Sequence, residues 1–81
     1  MTMNNIDTIE SSDLALVSFL WTYGQRFIDM RREAARVFFI FPKNEISDDL
    51  IVGYWDRTIK VDPMEYFSAI KQVKSFIYQK N

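Results

Sequence analysis

The sequence predicts a small α+β domain, and three observations carry that prediction. Arg36-Val37-Phe38-Phe39-Ile40-Phe41 is an unbroken aromatic and β-branched run stopped by Pro42, the composition of a strand. Leu14–Tyr23 is apolar on nearly every side of a helical wheel and is followed by Gly24, a residue suited to the left-handed turn after a helix. Asp62-Pro63-Met64-Glu65 joins a capping carboxylate, a proline fitted to the first helical position and the acidic partner of a capping box. At 81 residues there is room for one domain.

The elements follow in order. Residues 1–11 show no apolar period and are expected to form a flexible tail, leaving 12–79 as the globular domain. Ser12 is expected to cap the first helix, with Ser18 and Thr22 as its narrow polar stripe. Gln25–Phe41 reads as an antiparallel hairpin. Its first arm is Arg26–Arg31, its turn is Arg32-Glu33-Ala34-Ala35, and its second arm is the aromatic run. The turn lacks Gly and Asn, and a helix through Asp29–Ala35 is the competing reading. Because the second arm is continuously apolar, cover on both of its faces is expected. Asn44 caps a second helix from Glu45 to about Trp55, in which Gly53 marks either close packing or an early end. Thr58-Ile59-Lys60-Val61 alternates and is expected to add a third strand. The last helix starts at Pro63 and runs to about Gln79. Tyr66, Ala69, Ile70, Val73, Phe76 and Ile77 form its buried face, and Ser68, Lys71, Gln72 and Ser75 face outward. The predicted order is α-β-β-α-(β)-α.

Composition removes several function classes. The chain has no Cys and no His, so disulfides, zinc-type ligand sets and His-based nucleophile pairs are excluded. Neither a metal nor a cofactor is expected, and no catalytic residue is assigned. Glu45, Asp48 and Asp49 could in principle offer oxygens to Mg²⁺, yet they sit where a helix start favours acidic side chains. No stretch approaches the roughly 20 apolar residues of a membrane span. The polar, acidic start is unlike a secretory signal, so a cytoplasmic protein is expected.

Two surfaces can carry binding. Net charge is −1 but is segregated along the chain. Residues 24–43 hold Arg26, Arg31, Arg32, Arg36 and Lys43 against only Asp29 and Glu33. Residues 44–62 are correspondingly acidic. Guanidinium forks on a hairpin suit phosphate, which makes this set a candidate nucleic-acid surface. A pI near 5.2 weighs against it, because polyanion affinity needs net positive potential. Seven Phe, four Tyr and two Trp exceed what one small core obviously holds, and exposed aromatics dominate binding hot spots. Trp21, Tyr23, Trp55 and Tyr78 are the candidates for contact with a protein partner or with a second copy of the chain. A non-enzymatic protein-binding module is therefore the leading expectation, and a nucleic-acid-binding accessory protein the alternative.

Ser12-Asp13-Leu14-Ala15-Leu16 with Ser18 and Leu20, then Arg36–Phe41, Trp55, and Val61-Asp62-Pro63 with Tyr66 and Phe67 form an ordered set. It resembles a small prokaryotic and phage domain family of unknown function, with an S-D-L-A-L start and a V-D-P-x-x-(Y/F)-F helix start. The resemblance spans about residues 11–78. It implies a fold made of helix caps, a core strand and core aromatics, and it supplies no catalytic residues. Gly53-Tyr54 before Trp55 departs from the acidic and aromatic pattern expected there. By analogy of size, a phage or mobile-element accessory protein that inhibits a host protein is the expected setting.

Overall fold

The computed structural model describes residues 7–79 of the chain. The elements are β1 (Thr8–Ser11), α1 (Leu14–Thr22), β2 (Asp29–Glu33), β3 (Arg36–Pro42), α2 (Glu45–Asp56) and α3 (Pro63–Ile77). The fold is α+β: three helices lie on a three-stranded antiparallel sheet of order β1-β3-β2.

The aromatic run takes the central place. In β3 the residues alternate, with Val37, Phe39 and Phe41 buried and Phe38 and Ile40 half-buried on the opposite face. The inward set joins Leu16, Val17, Phe19 and Leu20 of α1 and Val73 of α3 in one core. The expected cover on both faces is therefore corrected, since the helices cover only one. The outer face is shielded by a side chain instead. Arg31 of β2 lies 4.4 Å over the Phe38 ring. Its guanidinium is held by Glu10 of β1 at 2.6 Å and by Glu33 at 2.7 Å. Its pKa is raised, first by the hydrogen bond it donates to the Glu10 carboxylate.

Several boundaries move. Residues 8–11 are an edge strand, with Thr8 opposite Pro42 and Ser11 opposite Phe39, so that part of the expected tail is structured. The Asp7 carbonyl accepts from the Lys43 amide at 2.9 Å just before the strand, and residues 1–6 of the expected tail lie outside the described residues. Asp13, rather than Ser12, caps α1. Its side chain accepts from the Ala15 and Leu16 amides at 2.9 and 3.4 Å, where a carboxylate gains more from the helix dipole than a hydroxyl does. The polar stripe of α1 is not solvated: Ser18 is fully buried, and its hydroxyl has no partner among the described residues. The hairpin is real, and the competing helix through Asp29–Ala35 is not present. Its first arm begins at Asp29, and Glu33 pairs with Arg36, so the loop is the two residues Ala34-Ala35. Ala34 takes φ 54, the left-handed position where two-residue hairpins favour glycine.

The third strand expected at Thr58–Val61 does not form, and β1 fills that role in the sheet. After α2, Arg57 turns left-handed at φ 61. The amides of Thr58 and Ile59 then bond back to the Gly53 carbonyl at 2.9 and 3.4 Å. This folds the segment onto its own helix, leaving no ladder for it to join. Asn44 caps α2 in a reciprocal box with Ser47, each bond 2.9 Å.

The Asp62 cap is present, with its carboxylate accepting from the Glu65 amide at 2.9 Å and Pro63 opening the helix. Asp62→Ala is expected to lower stability by about 1 kcal/mol. A denaturant melt that does not move would remove the cap from the account.

Candidate functional site

α1 packs most extensively against α3 and also against α2, so these two helices each keep a face turned to solvent. The core face of α3 carries Tyr66, Ala69, Val73, Phe76 and Ile77. At three- and four-residue spacing on the opposite side stand Met64, Phe67, Lys71, Lys74 and Tyr78. Met64 is 80 % exposed, Phe67 58 % and Tyr78 73 %. The Lys71 ammonium sits 4.7 Å over the Phe67 ring, a cation–π contact between neighbours on the same helical row.

The outward face of α2 is different in sign. Glu45, Asp49, Val52, Trp55 and Asp56 are exposed, Trp55 to 63 % and Val52 to 58 %. Tyr54 packs inward at 5.1 Å from Phe19 and meets the Trp55 ring edge-on at 5.0 Å. Trp55 is thus braced on one side and free on the other.

The four aromatic candidates do not form one patch. Trp55 and Tyr78 project into solvent from different helices. Trp21 is half-buried beside Phe27 and Phe76, with centroids 5.4 and 5.6 Å away. Its indole N–H donates to Gln72 at 2.8 Å. Tyr23 stacks 5.1 Å from Phe19 and donates its hydroxyl to the Lys60 carbonyl, tying α1 to the 57–62 segment. Met64, Phe67 and Val52 were missed from sequence. Their signal was present all the same, since each is apolar at a position that the helical wheel assigns to solvent.

The basic candidates are largely engaged within the chain. Arg26 lies 4.0 Å over the Trp21 ring and donates to the Trp21 and Gln25 carbonyls at 2.9 and 3.0 Å. Arg31 is held by Glu10 and Glu33. Arg32 donates to the Phe76 and Ile77 carbonyls, both at 3.1 Å, and so caps the C-terminal end of α3. Lys43 pairs with Asp48 at 2.8 Å. Arg36 alone of the five makes no such bond to a described residue. What the sequence presents as a cluster of free cations is a set of fastenings between elements.

A cleft of about 310 Å³ opens between α1, the end of α2 and the start of α3, lined by Phe19, Tyr54, Ile59, Val61 and Tyr66, with Arg57 and Lys60 beside them. The Tyr66 hydroxyl donates to the Ala15 carbonyl at 3.0 Å. Burial raises the Tyr54 and Tyr66 pKa values above their ordinary 10.0, and the Asp13 carboxylate adds to both rises. The fold thus holds the neutral phenols. Their contribution to stability is full below the ordinary tyrosine value and is lost as pH rises through the raised native values. Stability is expected to decline above about pH 10, and less steeply in Tyr54→Phe. Identical pH profiles for the two proteins would contradict this placement of Tyr54.

Among the described residues no group of three or more His, Cys, Asp or Glu side chains is placed to hold a metal ion. No described helix is long and apolar enough to cross a membrane. No curated protein and no solved structure matches the chain. A family model does match, over residues 6–79, a range that takes in all three strands and all three helices. The chain belongs to the DUF5659 family, a domain of unknown function.

Proposed function

We propose that this domain is a non-enzymatic protein-binding module that acts through the outward face of α3, aided by Trp55 of α2. One observation carries the reading: Met64, Phe67 and the capping Tyr78 stand exposed along one side of α3, while its other side packs on the core. Large apolar side chains in a row on so small a domain mark a partner surface, and aromatic anchors supply most of the energy at such surfaces. The partner chemistry that fits is an apolar surface with acidic neighbours, since Lys71 and Lys74 lie in the same row. The cytoplasm is the proposed setting. A phage or mobile-element accessory role, in which the domain blocks a host protein, rests on its small size.

The test is capture of the native partner by the wild-type chain and by two variants. Phe67→Ala is expected to lose the co-purifying protein by at least tenfold, a loss of about 1.4 kcal/mol or more. Arg31→Gln combined with Arg36→Glu is expected to retain it. Retention by the first variant with loss by the second, together with recovery of DNA or RNA, would replace this reading with nucleic-acid binding.

A further inference from the structure

The outward faces of α2 and α3 complement one another. Both present side chains at the same three-and-four spacing, one acidic and apolar, the other basic and apolar. Laid antiparallel, they fall into a single register. Glu45 and Lys74 meet at one end, and Asp49 meets Lys71 one turn further on. Val52 then faces Phe67, and Trp55 faces Met64 at the other end. Ten residues separate the outer members on each helix, about 15 Å of helix in both cases, so the register holds along its whole length. Within one chain α2 and α3 each pack on α1, which turns these faces outward and leaves them to another molecule.

From this we propose that the occupant of the α3 face is a second copy of the chain, which offers its α2 in antiparallel orientation. The proposal rests on the protein-binding reading and names its partner. The apolar ends supply the burial and the two charge pairs set the direction. A parallel arrangement would bring Glu45 and Asp49 toward Met64 and the acidic start of α3 at Asp62 and Glu65, and it is disfavoured by that repulsion. Two short helix faces bury a modest area, so association is reversible and concentration-dependent.

Sedimentation of the purified full chain tests this. The wild type is expected to rise above its 9.7 kDa monomer mass as concentration increases. Lys71→Glu with Lys74→Glu, and separately Glu45→Lys with Asp49→Lys, are each expected to weaken association at least tenfold. Mixing the two variants restores opposite charges at the contact and should restore association, which a merely misfolded variant could not do. The cysteine-free sequence allows a second readout: Val52→Cys mixed with Phe67→Cys, the pair set opposite in this register, should form the mixed disulfide in preference to either homodisulfide. A wild type that stays monomeric at every concentration, or a mixture that fails to recover, would overturn self-pairing. Neither result touches Phe67-dependent capture of another protein, so the two readings fail separately.

Discussion

Phe39→Ala is expected to cost about 3–5 kcal/mol and to leave little folded protein at ordinary temperature. Phe39 is 1 % exposed at the centre of β3, with β1 on one side at Ser11 and β2 on the other at Met30. Its ring meets Phe27 edge-on at 5.0 Å, and Phe27 in turn packs at 5.0 Å on Phe76 of α3. Removing it opens a cavity between sheet and helices that α1 cannot fill, because Val17 and Leu20 are already fully buried there. The outward neighbour Phe38 provides the contrast. It is half-buried under Arg31, so Phe38→Ala should cost clearly less. Equal losses in denaturant melts would contradict the one-sided cover of the sheet.

The second large effect is at Gly53. A Cβ there would overlap Cδ1 and Cγ1 of Ile59, closer than carbon atoms approach. Ile59 is stiff at its branched carbon, and its amide lies 3.4 Å from the Gly53 carbonyl. Relief therefore requires Ile59 to leave its present rotamer or the 57–62 segment to shift. Overpacking of this kind costs about 1–3 kcal/mol, against which alanine regains about 1 kcal/mol of helix propensity. Gly53→Ala is expected to be net destabilising by up to about 2 kcal/mol, and Ile59→Val should recover part of the loss. Strict additivity of the two substitutions would mean that the contact is not what requires glycine.

These two positions also show what could be read from the chain and what could not. The strand at Arg36–Phe41, the cap at Asp62 and the helices on either side of the hairpin follow from local chemistry, and local chemistry was enough to place them. Gly53 had two readings, close packing or an early helix end, and only the position of Ile59 decides between them. β1 went unseen because Thr8-Ile9-Glu10-Ser11 has one apolar residue and is too short for a period; it is a strand because β3 offers it an edge. Thr58–Val61 has the better strand pattern but is claimed by hydrogen bonds to Gly53. Tertiary partners outweigh propensity in both cases.

The binding surface was harder to read for a related reason. Arg26, Arg31, Arg32 and Lys43 look alike in sequence as free cations. Their ring contacts, ion pairs and carbonyl caps join residues distant in the chain and emerge only on folding. Trp55 and Tyr78 were visible as spare aromatics. Phe67 and Met64 sit in the first turns of a helix whose capping signals account for their neighbours, and their apolar character on the polar face points outward only once the packing of α3 on α1 is known.

Hydroxyl-radical footprinting of the protein, free at high dilution and then in its native complex, tests the central claim most directly, because Met, Trp, Phe and Tyr side chains are its most reactive targets. The account predicts strong oxidation of Met64, Trp55 and Phe67 in the free chain and their protection in the complex, with Met30 and the hairpin arginines unchanged. Unaltered oxidation of Met64, Trp55 and Phe67 on binding, with protection confined to the hairpin, would contradict it.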